Sequence, residues 1–380
     1  MAKNENLHNA KMNKNDEFYT RLEDIEAEIS SHPDYVRHFQ GKTVLCNCDD
    51  PEQSNFYEFF RLHFKQLGLR KLITTHYIPP ILKTEERVVL DRKGQPKKNK
   101  DGSLKTEEVV VETITVSSYK LEWCGEILND DTVNLIKTPL KGNGDFRSDE
   151  CIELLKEADI VVTNPPFSLF REYVAQLMQY NKKFVIIGNV NAVTYKEFFP
   201  LLRDKLVWAG YSFNKTLLFE VGDGYTYDEK ETSKIGDGKY YGKVPSIAWF
   251  TNLDIDKRHE SIPLTKLYKG NEQSYPYYDN YNAINVDKVK DIPKDYDGVI
   301  GVPITFLGDF CQEQFEIVGF GQGDVMYEHG VSQQFVDDYK SSGQKGVVHA
   351  GHPFLVYYRP SDRYPVIPYF RILIRKRKVA

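Results

Sequence analysis

Residues 159–167 read Asp-Ile-Val-Val-Thr-Asn-Pro-Pro-Phe and join an apolar run to a polar turn. The β-branched run from Ile160 to Val162 is typical of a central parallel strand. Pro165 and Pro166 end that strand, because neither has a backbone N–H to donate to a neighbouring strand. Open α/β sheets bind their ligands at the carboxyl ends of the strands, so the turn predicts a binding site.

The chemistry that this turn suits is methylation of an exocyclic amine. The lone pair of an aryl amine is delocalised into its ring, so the amine attacks poorly unless two acceptors hold it. The side-chain oxygen of Asn164 and the carbonyl of Pro165 are two such acceptors, and Phe167 offers a flat face on which a base can stack. The alternative is a proline-rich turn that only ends a strand. The preceding strand and the following aromatic favour the catalytic interpretation for Asn164, Pro165, Pro166 and Phe167.

The composition is that of an ordinary globular protein. Of the 380 residues, 28% are charged and 41% are hydrophobic, and this length allows a large core and two domains. No apolar run approaches the roughly 18 residues that cross a membrane, and the polar N-terminus lacks the apolar core of a signal peptide. The five cysteines have no metal-like spacing. We therefore expect reduced thiols in a cytoplasmic protein, without a membrane segment or a metal site.

Two cationic clusters contrast with a formal net charge of −5, which by itself does not indicate a general nucleic-acid-binding protein. The first occupies a turn-rich stretch between two β-rich segments, for which we predict an inserted β-hairpin over about 85–123; its members are Arg92, Lys93, Lys97, Lys98 and Lys100. The second lies near the C-terminus and consists of Arg371, Arg375, Lys376, Arg377 and Lys378. Either cluster can be a solvated surface or a local phosphate-binding site.

Strands alternate with helices over the first 255 residues, which predicts a doubly wound α/β domain with a mostly parallel sheet. One helix is predicted from Asp50, as N-cap, to about Leu67, with Gly68 as its C-terminal stop. The polar, Gly-rich segment 222–243 predicts a long loop. The predicted strands are 42–47, 72–77, 134–137, 159–163, 183–188, 206–210 and 247–251, and the other helices lie near 148–157 and 168–180.

From about residue 256 the alternation fades, and Tyr, Pro, Asp and Asn become frequent. We predict a smaller, irregular, β-containing domain over 256–380, which follows a catalytic domain over 1–255. His76 and His259 are interpreted as satisfied surface or core residues, because no Ser-His-Asp set, phosphate-binding loop or zinc signature accompanies them.

Several stretches occur in an order that resembles a known family. They are Asp-Glu-Phe-Tyr-Thr at 16–20, Val-Leu-Cys-Asn-Cys-Asp-Asp-Pro at 44–51, Gly-Asp-Phe-Arg at 144–147, the 164–167 turn, Gly-Val-Pro-Ile-Thr-Phe-Leu at 301–307 and Arg-Ile-Leu-Ile-Arg at 371–375. Together they resemble the adenine-specific DNA methyltransferases of the EcoRI type. The resemblance implies an S-adenosylmethionine-dependent fold and transfer of a methyl group to N6 of an adenine flipped out of duplex DNA.

The resemblance also implies where the cofactor binds. Its methionine end would contact Tyr19 and Thr20, and its adenine would contact Asp145 and Phe146. The loop after the first strand would contribute Cys46, Asn47, Cys48, Asp49 and Asp50, and Asn164 would border the same pocket. This loop contains none of the glycines that most methyltransferases have there, and the second strand ends without the usual acid for the ribose. Asp50 has helix capping as an alternative role, whereas Asp49 has no such structural task.

Three alternatives share parts of this pattern. Ribosomal-RNA and protein-glutamine methyltransferases use the same Asn-Pro-Pro-aromatic turn, and a catalytically inert DNA-binding module would keep only the fold. A separate C-terminal domain of recognition size favours DNA over a small protein target, and the intact turn favours activity over an inert module. We expect a monomer that binds double-stranded DNA, releases S-adenosylhomocysteine and pairs functionally with a restriction endonuclease.

Overall fold

The structure is a computed structural model and describes residues 19–48, 50–91, 93–99, 101–124, 134–220, 232–234, 240–243 and 246–377. The chain divides into two compact units. The first contains residues 19–22, Phe39–Pro166 and Met178–Lys182, and the second contains Glu23–His38, Phe167–Leu177 and residues 183–377. Within the described ranges, no helix has the length and apolar character that a membrane span requires.

The first unit is built on five strands in the order β8–β2–β3–β6–β7. Their bounds are Ile160–Thr163, Thr43–Cys46, Lys71–Thr75, Tyr119–Cys124 and Asn134–Pro139. Strand β2 pairs in parallel with both β3 and β8, whereas β6 pairs antiparallel with β3 and with β7. All four residues of β2 and all four of β8 are buried, as their apolar runs predict. The α/β class is therefore confirmed, and the parallel strands lie in the middle of this unit.

Capping residues mark the ends of the helices in the first unit. Helix α3 (Asn55–Leu62) has Ser54 as its N-cap, whose side chain accepts from the Phe56 amide. A short helix α4 (Phe64–Leu67) ends at Gly68, which takes the left-handed conformation with φ of 62°. Asp50 lies outside both helices, so the predicted start at Asp50 was wrong. Helix α5 (Asp149–Glu157) has Ser148 as its N-cap.

Strands β4 (Ile81–Val88) and β5 (Thr106–Ile114) form a two-stranded antiparallel ribbon. Nearly all residues of both strands are exposed. The predicted bounds of 85–123 were wrong at both ends, because the ribbon begins at Ile81 and Tyr119–Cys124 belongs to the sheet. The ribbon and the sheet differ in burial. A strand inside the sheet has apolar side chains on its covered face, and Leu121 is one of these side chains.

The second unit contains three strands in the order β10–β14–β9, all antiparallel, and several smaller sheets. A four-stranded sheet runs in the order β15–β16–β20–β17. The strand bounds are Trp208–Ala209 (β10), Ile247–Thr251 (β14), Lys183–Asn189 (β9), Ala283–Asn285 (β15), Val299–Pro303 (β16), Arg371–Lys376 (β20), Phe315–Phe320 (β17), Tyr357–Tyr358 (β18) and Pro365–Val366 (β19). The helices of this unit are Leu22–Glu28 (α1), Pro33–Phe39 (α2), Phe170–Gln179 (α6), Phe199–Arg203 (α7) and Gln333–Ser341 (α8). The first residue of α1, the last residue of α2 and the last two residues of α6 belong to the first unit. Helix α6 (Phe170–Gln179) buries Phe170, Tyr173, Val174 and Leu177.

The segment 222–243 is not simply a loop. Strands β12 (Thr232–Lys234) and β13 (Tyr240–Lys243) lie in it, and β13 pairs antiparallel with β12 and with β11 (Leu218–Glu220). The rest of the segment lies outside the described residues. Strand β1 covers Tyr19–Thr20. The boundary at residue 255 stays a prediction.

Candidate active site

Asn164 follows β8 directly and is buried, with 8% of its surface exposed. Pro165 is buried, and Pro166 and Phe167 are half-buried. Phe167 begins a 3₁₀ turn, Phe167–Leu169, that leads into α6. The polar amide of Asn164 therefore lies at the carboxyl end of a central parallel strand, where open α/β sheets place their ligands.

A hydrogen bond joins the loop after β2 to the end of β8, directly before this turn. The Thr163 hydroxyl, which is fully buried, donates a hydrogen bond to the Asn47 carbonyl. At the opposite end of the same two strands, a carboxyl oxygen of Asp159 accepts from the Thr43 amide at 2.8 Å. Strands β2 and β8 are thus fixed to each other at both ends, and the loop carrying Asn47 has a set position beside the loop carrying Asn164.

The loop after β2 contains no glycine, and Cys48 adopts the backbone conformation there that a glycine would favour. Its φ of 86° lies in the region that favours glycine. A non-glycine residue held there costs on the order of 1–3 kcal/mol, and such strain concentrates at functional sites. A cysteine therefore adopts here a backbone conformation that usually favours glycine. Cys46 ends β2 and is buried, and Asp49 lies outside the described residues.

Asp50 is the acceptor in a polar cluster with His76 and Tyr119. One carboxyl oxygen of Asp50 accepts from the Tyr119 hydroxyl at 3.1 Å and from the Glu52 amide at 3.0 Å, and it lies 3.1 Å from Nδ1 of His76. Burial raises the pKa of the Asp50 carboxyl, but the hydrogen bond from the Glu52 amide and the nearby His76 imidazole outweigh burial and lower the pKa overall. Burial and the Asp50 charge raise the pKa of Tyr119, which therefore stays a neutral donor. Asp50 is thus an ionised carboxylate with a fixed orientation.

The loop 142–147 packs against the end of β3. The Ser118 hydroxyl donates to the His76 carbonyl, and the Ile78 amide donates to the Asn143 carbonyl at 2.8 Å. Gly144 has a φ of 80°, and a Cβ on it would overlap the His76 carbonyl oxygen. Only glycine satisfies both the conformation and the close approach.

Asp145 and Phe146 occupy the end of this loop. The Arg147 guanidinium donates to both carboxyl oxygens of Asp145, at 2.9 and 2.6 Å, and the Arg147 amide donates at 2.9 Å. These contacts lower the pKa of Asp145 below its usual value, against the effect of burial. Phe146 is buried, with 6% of its surface exposed. Asp145 is therefore an oriented carboxylate, although its partner was not foreseen from the sequence.

Thr20 lies against the start of α3, where the Asn55 side-chain amide donates to its carbonyl at 2.7 Å. The Thr20 hydroxyl is buried, and so is the hydroxyl of Thr75 at the end of β3. Neither hydroxyl has a hydrogen-bond partner among the residues that the structure describes. A buried polar atom without a partner costs about 1–3 kcal/mol, so such atoms indicate a place where a ligand binds.

Sequence reasoning missed His76, Ser118 and Tyr119. His76 was interpreted as a satisfied residue, yet it lies 3.1 Å from Asp50 and carries the carbonyl against which Gly144 packs. Its position directly after β3 was a usable signal, because the carboxyl end of the second strand is where a ribose-binding residue was expected. Tyr119 gave no signal, since it reaches the site only because β6 pairs antiparallel with β3.

The first cationic cluster lies at the tip of the β4–β5 ribbon. The tip contains two similar turns, in which Gly94 and Gly102 have φ of 79° and 87°. The carboxylates of Asp91 and Asp101 accept backbone amides within their own turns, so these acids are engaged locally. Lys93, Lys97 and Lys98 are all exposed, and Arg92 and Lys100 lie outside the described residues.

The second cationic cluster is mostly structural. Arg371 is buried and forms an ion pair with Asp287 at 2.8 Å. Arg375 lies 3.2 Å from Glu316, and Arg377 donates to the Phe315 carbonyl at 3.2 Å. Lys378 lies outside the described residues.

Within the described part of the chain, no group of three or more His, Cys, Asp or Glu side chains is arranged to hold a metal ion.

The model of a family described as "Adenine-specific methyltransferase EcoRI" matches residues 6–377. The chain belongs to this family. It is therefore a site-specific, adenine-specific DNA methyltransferase, and the resemblance first recognised from short motifs is confirmed.

Named relatives support the same assignment. The chain is 45% identical to the Type II methyltransferase M.EcoRI of Escherichia coli over 323 residues, which cover 85% of this chain and 91% of that protein. It is 39% identical to the Type II methyltransferase M.MpnI of Mycoplasma pneumoniae over 311 residues, covering 81% and 83% of the two chains. No solved structure matches the chain.

The residues of the first unit fit the cofactor that methyltransferases use in general, S-adenosylmethionine. This molecule offers an ammonium, a carboxylate, ribose hydroxyls and an adenine amine. The first unit offers an ionised carboxylate at Asp50, a second at Asp145, and buried hydroxyls at Thr20 and Thr75 that have no partner among the described residues. The first unit therefore offers both hydroxyl groups and ionised carboxylates to such a molecule.

Proposed function

We propose that this enzyme transfers the methyl group of S-adenosylmethionine to N6 of an adenine that leaves the stack of duplex DNA. The observation that carries the proposal is the buried Asn164 amide at the carboxyl end of β8, joined through Thr163 to the loop after β2. An amine inside a base pair cannot reach a side chain with 8% exposure, so flipping of the adenine is required.

The turn acts by holding the amine. The Asn164 side-chain oxygen and the Pro165 carbonyl accept the two N–H bonds of the target, which favours the pyramidal, nucleophilic form of the nitrogen. Pro165 and Pro166 keep the turn rigid, and Phe167 stacks on the adenine ring. When bound, S-adenosylmethionine would supply an electrophilic methyl group; its sulfur–methyl bond would break as the nitrogen–methyl bond forms, with S-adenosylhomocysteine as the leaving group and one amine proton lost to solvent. Orientation and preorganised dipoles provide the catalysis, so no covalent bond to the protein is required.

The cofactor site that we infer comprises Tyr19, Thr20, Cys46, Asn47, Cys48, Asp49, Asp50, Asp145, Phe146 and Asn164. Asp49 and Asp50 accept from the ammonium or the ribose hydroxyls, and Asp145 accepts from the adenine amine. The ionised state of Asp50 and Asp145 supports these roles, since both have pKa values below the usual range. Phe146 packs against the adenine ring.

Replacing either acid should weaken cofactor binding before it affects the methyl-transfer step. We expect Asp49→Ala and Asp145→Ala each to lower the affinity for S-adenosylhomocysteine by about 5- to 150-fold, because removal of a partner leaves a polar group unpaired at about 1–3 kcal/mol. Isothermal titration measures this. Glu52→Ala is the matched control, because Glu52 lies in the same loop with 66% of its side chain exposed. Normal affinity in both variants means that the pocket lies elsewhere.

DNA contacts come from two regions in this proposal. The tip of the β4–β5 ribbon, through Arg92, Lys93, Lys97, Lys98 and Lys100, contacts phosphates, and residues 256–380 form the target-recognition domain that follows the catalytic domain of 1–255. A two-stranded ribbon has the width to approach a DNA groove.

We further infer a doubly wound arrangement of the catalytic domain, because parallel strands joined through helices require right-handed crossovers over a sheet face.

Neutralising the ribbon tip tests its role. We expect Lys97→Gln, Lys98→Gln and Lys100→Gln together to weaken DNA binding regardless of sequence and to lower the slope of log K against log salt by about 0.9 for each phosphate that the protein no longer neutralises. Binding titrations over a range of salt concentrations measure the slope. Lys42→Gln, Lys65→Gln and Lys156→Gln remove the same charge from exposed positions outside the ribbon.

An unchanged slope in the tip variant identifies the tip as a solvated loop. A changed recognition sequence would instead give the tip a base-reading role and overturn the assignment of recognition to residues 256–380.

The function itself is tested with purified enzyme, labelled S-adenosylmethionine and three acceptors: duplex DNA, ribosomal RNA and a glutamine-containing peptide. We expect label only in DNA, and N6-methyladenine as the only methylated nucleoside after digestion and mass spectrometry. Label in RNA or peptide would favour the related methyltransferases with the same turn, and DNA binding without transfer would identify an inert module.

The Type II naming of the relatives favours a restriction-modification role, so we propose functional pairing with a restriction endonuclease. A monomer in the cytoplasm completes the proposal. Size-exclusion chromatography with light scattering measures the mass directly.

A further inference from the structure

The two carboxyl oxygens of Asp50 have different surroundings. Oδ1 accepts from the Tyr119 hydroxyl at 3.1 Å and from the Glu52 amide at 3.0 Å, and it lies 3.1 Å from Nδ1 of His76. No residue that the structure describes donates a hydrogen bond to Oδ2, which is not fully buried. A carboxylate oxygen accepts through two lone pairs. Oδ2 therefore remains as an acceptor for a ligand.

The neighbours of Oδ1 fix the direction in which Oδ2 points. His76 follows β3 directly, and its amide donates to the Tyr119 carbonyl at 3.4 Å, so the two rings lie side by side with centroids 5.8 Å apart. The Lys137 ammonium lies 3.9 Å from the centre of the Tyr119 ring and 2.8 Å from a carboxyl oxygen of Glu52. An acceptor oriented in advance binds a ligand with a smaller loss of conformational freedom.

The end of β3 carries further polar groups that indicate a ligand. Thr74 and Thr75 are each 1% exposed, and successive residues of a strand point to opposite faces of the sheet. Neither hydroxyl has a hydrogen-bond partner within the described ranges of the chain. Buried polar groups are normally paired, so two such hydroxyls beside His76 point to a bound molecule. At this strand end, related enzymes place an acid for the ribose, and this chain has none.

The order of the strands indicates which part of the cofactor lies near Asp50. In the order β8–β2–β3–β6, the catalytic turn follows β8, whereas the groups that hold Asp50 lie after β3 and on β6. The loop 142–147, to which we assign the adenine, packs against the same end of β3, because Gly144 lies against the His76 carbonyl. The ribose joins the adenine to the sulfonium, so it must lie between this loop and the turn. A carboxylate that is turned toward β3 therefore meets the ribose before the methionine end.

We propose that Oδ2 of Asp50 accepts from the ribose hydroxyls of the cofactor, and that His76 and Tyr119 are positioning residues that orient it. This inference rests on the proposed function and deepens it, because it assigns Asp50 to the ribose and not to the ammonium. Hydrogen bonds from hydroxyls to a carboxylate are about twice as strong as those between neutral groups. The loop after β2 thus supplies the acid that β3 lacks.

The experiment uses the full chain and begins with the wild-type enzyme. Methyl transfer to duplex DNA is measured first, so that a failure of the proposed function is recognised before any variant is made. Isothermal titration then compares S-adenosylhomocysteine with its 2′-deoxy and 3′-deoxy forms. We expect at least one deoxy form to bind about 5- to 150-fold more weakly, because it leaves an oriented carboxylate without a donor. Equal affinity for all three ligands overturns the inference without any variant.

Asp50→Asn keeps the shape of the side chain but places an amide where Oδ2 was. We expect its affinity for S-adenosylhomocysteine to fall, and the deoxy forms to bind about as well as the intact ligand, because the interaction that separates them is gone. 5′-Methylthioadenosine contains the ribose and the adenine but no ammonium, so its affinity should fall by the same factor. A loss for S-adenosylhomocysteine alone would assign Asp50 to the ammonium and overturn the inference.

Tyr119→Phe and His76→Ala test the positioning roles. We expect each to lower the preference for the intact ribose by about 2- to 12-fold, the range for one hydrogen bond. Tyr57→Phe is the matched control, because the Tyr57 hydroxyl accepts from Trp123 at 3.0 Å and has no hydrogen bond with Asp50; it should keep the preference of the wild type. A purely structural loss weakens all ligands equally, so an unchanged preference in both variants overturns the positioning roles.

Discussion

Asn164→Ala should lower the single-turnover rate of methyl transfer by on the order of 10²–10³, the usual consequence of removing one preorganised polar group that acts on the reacting atoms. The affinity for S-adenosylhomocysteine should stay within a few fold of the wild type, because the side chain of Asn164 is assigned to the target amine and only borders the cofactor pocket. The rate is measured with enzyme in excess over a duplex that contains the recognition sequence, and the affinity is measured by titration.

Asn164→Asp provides the comparison within the same position. It keeps an acceptor oxygen of the same reach and should retain a rate above that of the alanine variant. A near-normal single-turnover rate for Asn164→Ala would remove Asn164 from the reaction, and a loss confined to cofactor affinity would transfer it to the cofactor pocket.

Gly144→Ala should have the largest effect on stability. Its φ of 80° costs an L-residue about 1–2 kcal/mol, and the overlap with the His76 carbonyl oxygen adds about 1–3 kcal/mol as in other overpacked sites. We therefore expect the free energy of unfolding to fall by about 2–5 kcal/mol. Because the same loop carries Asp145 and Phe146, cofactor affinity should fall as well.

Gly142→Ala is the matched control for this prediction. Gly142 lies in the same loop, has an ordinary φ, and a Cβ on it would meet nothing within 4 Å. Its unfolding free energy should stay within about 0.5 kcal/mol of the wild type. Chemical denaturation of both variants, followed by titration with S-adenosylhomocysteine, measures the difference. Equal stability of the two variants would mean that loop 142–147 does not pack against β3 as described.

Local sequence signals predicted the elements that carry the catalytic turn. Val161 and Val162 belong to a continuous apolar run, which needs only burial on both faces to become a central strand. Gly68 ends its helix in the left-handed conformation because it has no Cβ to hinder it. These outcomes depend on neighbours in the chain, so the chain order is sufficient to anticipate them.

The predictions that depended on residues far apart in the chain were wrong for one common reason. The helix start at Asp50 was wrong because the Asp50 carboxylate accepts from Tyr119, a residue 69 positions away, and Ser54 caps the helix instead. The extent of the inserted ribbon was wrong because Tyr119–Cys124 pairs with β3. Pairing partners and competing acceptors are chosen by tertiary contacts, which no local pattern contains.

The sequence by itself determined the family, the Asn-Pro-Pro-Phe turn and the strands that deliver it, because these depend on residue identity and short-range periodicity. Only the tertiary structure decided that His76 and Tyr119 form a polar cluster with Asp50, that Ser118 donates to the His76 carbonyl, and that Gly144 must be glycine. It also decided which cations are available to meet DNA: those of β20 are engaged by neighbouring acids and carbonyls, whereas Lys97 and Lys98 at the ribbon tip are exposed. The number of charged residues follows from the sequence alone. Whether a charged side chain is free to contact DNA depends on the partners that folding brings within a few ångströms of it.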